Sequence, residues 1–231
     1  MVYPRFCLHC GEALQPSSPQ GLCVHCSANA PLNLPPYCNR CGRHSDTSVC
    51  EPCNTAADSP LARISYILKY QTHGKRWIQR FKIHASPEWI PLWRCWIRRY
   101  FAASHESLHL VDAIVPVPPH RSKPLDSWSA AREFARLISE IAGIPVADIL
   151  SRTRPLRKQS DLSREERAEN VRGAYTLSRP LKSREKTVLI VDDVITTEAT
   201  ARECARVLKA SGATRVECFA GARAPLRSEH P

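Results

Sequence analysis

Eight of the eleven cysteines stand in four Cys-x-x-Cys pairs: Cys7/Cys10, Cys23/Cys26, Cys38/Cys41 and Cys50/Cys53. Two intervening residues let one tight turn aim both sulfurs at a single ion, and two such turns complete a tetrahedron around Zn²⁺. Gly11 and Gly42 follow the first and third pairs, where a left-handed backbone closes the turn. The stretches Pro4-Arg-Phe-Cys7 and Pro36-Tyr-Cys38 open what reads as one unit used twice. The expectation is a double zinc ribbon over residues 1–57 holding two structural zinc ions. Disulfides and an iron–sulfur cluster are the competing readings, and paired spacing fits zinc better than either. Joining consecutive pairs is the simpler arrangement, although a crossed one satisfies the same spacing. With every position filled by a thiolate, no coordination site is left for catalysis. The metal then supplies the folding free energy of a unit too small to bury a core. His9, His25 and His44, beside the ligands, read as surface residues.

A second constellation lies at Val188-Leu-Ile-Val-Asp192-Asp193-Val-Ile-Thr196-Thr197-Glu198-Ala199-Thr200. An apolar strand ends in two carboxylates, and a hydroxyl-rich loop leads into a helix. Backbone N–H groups and hydroxyls at a helix N-terminus make a seat for an anion. Adjacent carboxylates accept hydrogen bonds from vicinal hydroxyls, so diol plus phosphate describes a ribose 5-phosphate. The plainer alternative is an Asp pair that merely caps the next helix.

The elements that must position these groups are readable from periodicity. Val111–Val117 is a short β-branched run, and residues 128–142 carry Phe134, Leu137, Ile138 and Ile141 at helical spacing before Gly143 and Pro145. Residues 146–150, Ala174–Leu177, Thr187–Val191 and Arg215–Ala220 read as strands, and residues 199–210 as a helix. Alternating strands and helices predict an α/β domain over 111–231, a parallel sheet flanked by helices with its ligand at the C-terminal strand ends. Between the two parts, residues 58–110 are rich in tryptophan and basic side chains. Leu61, Ile64, Ile67 and Leu68 recur at helical spacing; Gly74 then breaks the helix, and a second one carries Trp77, Ile78 and Phe81. Trp89, Trp93 and Trp96 follow.

Net charge is +11, zero over residues 1–57, +6 over 58–110 and +5 over 111–231. Such a balance points to phosphates as partners. Basic and aromatic residues interleaved in the middle segment suit single-stranded DNA, with Lys69, Lys75, Arg76, Arg80 and Lys82 as exposed contacts. The competing and preferred reading makes the aromatics core and the cations a solvated face. No run of eighteen apolar residues exists and the N-terminus lacks an apolar h-region, so neither membrane insertion nor secretion is expected. Paired free thiols agree with the cytoplasm. Cys95, Cys204 and Cys218 are left over, the last two read as core.

The segment 188–200 resembles the phosphoribosyl pyrophosphate (PRPP) motif of type I phosphoribosyltransferases. Almost the whole chain is similar to the ComF/GntX group, in which a double zinc ribbon precedes that domain. Leu68-Lys-Tyr70, Ile114-Val-Pro-Val-Pro118, Gln159–Ala174, Gly212-Ala-x-x-Val216 and Ala222-Arg223 carry the rest of the likeness. The resemblance implies that Asp192 and Asp193 hold the ribose hydroxyls, with Mg²⁺ accompanying PRPP. Thr196, Thr197, Ala199 and Thr200 would hold the 5-phosphate. Pro118, His120 and Arg121 would face the pyrophosphate, and residues 151–172 would form a hood. It further implies a role in natural competence and DNA uptake, with DNA-translocation proteins as partners, or else a transferase with an unknown acceptor.

Two departures stand out. Glu198 replaces the glycine usual in the phosphate loop, and Asp126-Ser-Trp-Ser-Ala130 replaces Arg-Gly-Phe-Asn-Gln. A bare carboxylate ~5 Å from a phosphate charge, at an effective dielectric of about 20, costs roughly 3 kcal/mol, or a hundredfold in affinity. A weakened PRPP site is therefore expected.

Overall fold

The computed structural model describes residues 5–16, 18, 20–56, 59–84, 87–103, 108–119, 128–157, 163–182 and 186–225. Its centre is a four-stranded, wholly parallel sheet in the order β1 (Arg63–Lys69), β6 (Arg215–Arg223), β5 (Thr187–Ile195), β2 (Ala113–Pro116). Strands buried on both faces read as continuous apolar runs, as Val188–Val191 does. Leu189, Val191, Phe219 and Ala222 face a layer made by α3 (Thr72–His84), α4 (Ile90–Ala103) and α5 (Ala130–Ala142). Val188, Ile190, Cys218 and Ala220 face α7 (Ala199–Ala210) and a small two-stranded antiparallel sheet of β3 (Leu150–Arg152) and β4 (Tyr175–Leu177). The expected α/β sheet flanked by helices is thus present, with a double ribbon in front of it. The ribbons contribute two one-turn helices, α1 (Val24–Ala28) and α2 (Glu51–Thr55), and the segment 151–172 contributes α6 (Arg164–Val171).

Residues 63–69 are not the expected helix but the β1 edge strand. Leu61, Ile64, Ile67 and Leu68 do satisfy a helical period, yet Ser65 and Tyr66 between them are buried too. An unbroken buried run is the pattern of a strand covered on both sides. Gly74 does not break a helix either: α3 runs through it. A Cβ there would lie 2.3 Å from the Lys69 carbonyl oxygen, so glycine permits the tight strand-to-helix return. Nor do residues 146–150 form a strand; Val146 makes a single bridge to Ile114 and the strand begins at Leu150.

The outer edge of β1 is closed by the ribbon segment. The N–H of Asn33 donates to Ile67 (2.7 Å), that of Lys69 to Pro31 (2.8 Å), and that of Ile64 to Arg40 (2.8 Å). An exposed strand edge is thereby removed. Gly42 fits this seam, with φ +71° and room for no Cβ, which would meet the Ile64 carbonyl oxygen at 2.5 Å. Trp77, Trp89, Trp93 and Trp96 are buried together with Leu22, Cys7, Cys23 and Cys26 of the first ribbon. These tryptophans are core, as the preferred sequence reading had it, and offer no faces to nucleobases. Among the described residues no helix is long and apolar enough to cross a membrane.

Candidate functional site

The cysteines gather as two groups, Cys7/Cys10/Cys23/Cys26 and Cys38/Cys41/Cys50/Cys53, with the ligand atoms of each within 4.8 Å of one another. Consecutive pairs therefore share a site, and the crossed arrangement is excluded. The sulfurs of Cys10 and Cys23 are 3.8 Å apart, and those of Cys41 and Cys50 3.7 Å. A tetrahedron with Zn–S bonds of ~2.3 Å has edges of about 3.8 Å, whereas a disulfide brings sulfurs to ~2.05 Å. Backbone N–H groups of Arg40 and Cys50 point at the Cys38 sulfur (3.4 and 3.3 Å), and that of Cys26 at Cys23 (3.4 Å). Such bonds stabilise thiolates. Both groups fit structural zinc.

Strand β5 continues through the carboxylates to Ile195, so Asp192 and Asp193 lie within the strand rather than just beyond it. Every strand of the sheet is parallel, so Tyr70, Pro118, Asp192, Asp193 and Arg223 meet at one edge, where α/β sheets bind ligands. The chain then turns through Thr196–Glu198 into α7. Asp192, Val194, Ile195 and residues 196–201 line a small cradle there. The Thr197 hydroxyl oxygen is buried with no hydrogen-bond partner among the described residues. With the backbone N–H groups at the N-terminus of α7, which have no acceptor one turn earlier in the helix, it makes a donor-rich seat suited to a phosphate.

The carboxylates differ. Asp192 accepts from the Asp193 N–H at 2.8 Å. Burial, and then the charge of Asp193, push the Asp192 carboxyl up to about 7, against the opposing pull of Lys82 and Arg152. Asp193 instead meets the Lys82 ammonium, 2.6 Å from its Oδ2. Burial is the largest single influence and lowers the Lys82 pKa, but the charge and hydrogen bond of Asp193 together with the charge of Asp192 outweigh it, and the ammonium is held above its ordinary value. A cation thus already lies against the acidic pair. Hard carboxylate oxygens are the ligands Mg²⁺ takes beside a phosphate substrate, so the pair fits such an ion once Lys82 moves aside.

Glu198 is the most informative residue of the loop. Its φ is +66°, the left-handed region that glycine favours, so the backbone keeps a glycine-like turn with a side chain attached. The carboxylate is gripped by two guanidiniums: Arg202 at 2.8 Å, and Arg223. Burial tends to raise its pKa, yet the two arginine charges win and hold it below the usual range. Arg223, itself only 3% exposed, also donates to the Cys41 carbonyl at 2.7 Å. The loop is therefore tied through one arginine to the second zinc ribbon. The repulsion expected from a bare glutamate does not apply to a carboxylate so neutralised.

The other expected residues divide. Lys69, Lys75 and Arg76 are exposed, but Arg80 donates to the Leu8 carbonyl of the first ribbon and Lys82 belongs to the acidic pair. Pro118 follows the C-terminal end of β2 and is buried; His120 and Arg121 lie outside the described residues, as do 158–162 of the expected hood. Of the segment 126–130, Trp128 donates its indole N–H to the Phe81 carbonyl (3.0 Å) and Ser129 caps α5. These two serve packing rather than ligand contact. Sequence reasoning missed Arg152, whose guanidinium lies 5.6 Å over the Tyr175 ring and acts electrostatically on Asp192. It also missed Tyr70 as a neighbour of Lys82 and Asp193, although Leu68-Lys-Tyr70 was part of the resemblance. Cys204 and Cys218 are fully buried core thiols whose pKa burial raises.

Residues 1–57 match the double zinc ribbon domain family. Competence protein F of Haemophilus influenzae is 28% identical over 232 residues, covering 94% of this chain and 96% of that protein. The DNA utilization protein YhgH of Escherichia coli O157:H7 is 25% identical over 214 residues, covering 86% and 88% respectively. Among solved structures, a purine phosphoribosyltransferase from Pyrococcus horikoshii aligns with TM-score 0.35 and 19% identity, over 73% of this chain and 83% of that one. The adenine phosphoribosyltransferase of Leishmania tarentolae aligns with TM-score 0.35 and 16% identity, over 61% and 73%.

Proposed function

We propose that this ComF-like chain, a double zinc ribbon joined to a phosphoribosyltransferase-like sheet, acts in DNA uptake. In this reading it binds a 5-phosphorylated ribose, PRPP with Mg²⁺, and handles single-stranded DNA in the cytoplasm. The carrying observation is the strand end at Asp192–Asp193 running directly into the Thr196–Thr200 seat. Asp192, once ionised, and Asp193 accept the ribose hydroxyls. Thr196, Thr197 and Thr200 with the α7 N-terminus take the phosphate, whose charge meets the positive end of the helix. Mg²⁺, when bound, neutralises pyrophosphate oxygens; Lys82 stands where it can do part of the same work. The names of the two relatives support the DNA half of the reading. Calorimetric titration with PRPP and Mg²⁺ tests the sugar half. Binding by the native chain, lost in Asp192→Asn/Asp193→Asn, is expected; equal heats in both remove it.

A second reading, an active phosphoribosyltransferase, is favoured by one observation: Glu198 is neutralised, so the loop keeps its favourable field for a phosphate. Displacement at the anomeric carbon needs positioning and electrostatic stabilisation rather than a covalent nucleophile. Pyrophosphate release in the presence of candidate acceptors distinguishes this reading from binding alone.

A further inference from the structure

Away from the acidic pair, α6 and α7 enclose an open groove of ≈ 740 Å³ lined by Arg172, Arg202, Arg206 and Lys209. Arg202, Arg206 and Lys209 follow one another at helical spacing, about one turn of ~5.4 Å apart, along a single face of α7. Among the described residues, Glu203 is the one carboxylate in the lining. It is buried and already satisfied by Arg206 at 2.7 Å and by the Gly173 N–H at 2.8 Å. Each arginine is held from one side by a carboxylate: Arg172 by Glu169 (2.8 Å), Arg202 by Glu198 (2.8 Å) and Arg206 by Glu203. Their side chains nonetheless remain 73%, 43% and 59% exposed. A guanidinium has five donors, so each keeps N–H groups for a ligand while its position is fixed. Among the described residues no aromatic side chain lines the groove. It therefore has nothing to stack a base upon and a row of cations to follow a backbone. In the middle segment the tryptophans are buried, Arg80 donates to the Leu8 carbonyl and Lys82 pairs with Asp193.

We infer that the α6–α7 groove is a seat for a phosphodiester backbone, which on the reading proposed above is that of single-stranded DNA. Ala199 lines both this groove and the phosphate cradle, so a strand lying in it runs up to the ribose-phosphate site.

The test is fluorescence anisotropy with a labelled oligo-dT of about thirty nucleotides, over a salt series, on the zinc-loaded full chain. Three to four phosphate contacts on a single strand give a slope of log affinity against log salt of about −2 to −3. Arg172→Gln/Arg206→Gln/Lys209→Gln is expected to bring that slope to within about one unit of zero and to weaken binding at least tenfold at low salt. Arg202 is kept because it holds Glu198. Arg206→Lys, which retains the charge, is expected to bind as the native chain does and guards against loss through misfolding. Lys75→Gln/Arg76→Gln on α3 is expected to change affinity less than threefold. Undiminished binding by the groove variant, or a loss confined to the α3 variant, overturns the groove while leaving DNA binding intact. An unaffected DNA slope with loss of an acidic protein partner overturns it too. A native chain that binds no oligo-dT removes the DNA half of the proposed function together with the groove.

Discussion

Replacing Glu198 by glycine restores the residue usual at this turn, yet the structure predicts a less stable protein. The glutamate carboxylate is the only carboxylate paired with Arg223 among the described residues, and the guanidinium is 3% exposed. Removing one partner of a buried ion pair costs about 3–5 kcal/mol, because the remaining charge keeps its desolvation penalty. Here the Cys41 carbonyl still accepts one bond, which puts the loss at the low end. Against it stands relief of a left-handed residue, worth roughly 1–2 kcal/mol. The net is a destabilisation of about 1–3 kcal/mol, or a melting temperature lower by about 2–10 °C for a chain of this size. Glu198→Gln loses the charge but keeps the strained backbone, so it should be the least stable of the three. PRPP affinity of the glycine variant should stay within about threefold of native, since the charge removed was already cancelled; an uncompensated glutamate predicts a gain of about a hundredfold. Denaturant unfolding and calorimetry on the three zinc-loaded proteins decide it. A glycine variant more stable than native, or a large gain in PRPP affinity, refutes the argument that Arg202 and Arg223 neutralise the loop.

Three further outcomes follow from the same geometry. The Asp192 carboxyl is raised to about 7, so the folded chain retains a proton that the unfolded chain has lost above its ordinary range. Its contribution to stability is present in acid and is lost as pH rises toward about 7, and PRPP affinity should climb as this group ionises. Asp192→Asn should flatten that part of the pH profile, and an unchanged profile counts against the assignment. Lys82→Gln frees Asp193 and should tighten Mg²⁺ binding several-fold in a direct titration; an unaltered Mg²⁺ affinity means that Lys82 does not compete for the site. Metal analysis should give two zinc ions per chain, as the two cysteine groups require. Chelation should then melt the sheet along with the ribbons, because it uncovers the β1 edge and part of the tryptophan core. A sheet that keeps its native transition after zinc removal contradicts that dependence.

Much of the site was legible because its residues are local in sequence. Each cysteine group is built from two knuckles less than twenty residues apart, and the strand, carboxylates, loop and helix of 187–210 form one continuous stretch. What escaped were long-range pairings. Arg223 reaches Cys41 across 182 positions and Lys82 reaches Asp193 of β5 from helix α3, and no periodicity announces either contact. The strand at 63–69 was misread for a related reason. Its helical spacing was real, but its meaning depended on distant partners: residues 215–223 along one edge, 31–33 along the other, and the two apolar layers that cover its faces. Glu198 looked like damage in isolation because the two arginines that neutralise it lie 4 and 25 residues away.

The central claim is that the end of β5 and the start of α7 form a working ribose-phosphate seat. A crystal structure of the zinc-loaded chain with PRPP and Mg²⁺ tests it most directly. The account predicts the 5-phosphate on Thr196–Thr200, the ribose hydroxyls on Asp192 and Asp193, and Glu198 still held by Arg202 and Arg223. PRPP bound elsewhere, or absent from a crystal grown at saturating concentration, would contradict it.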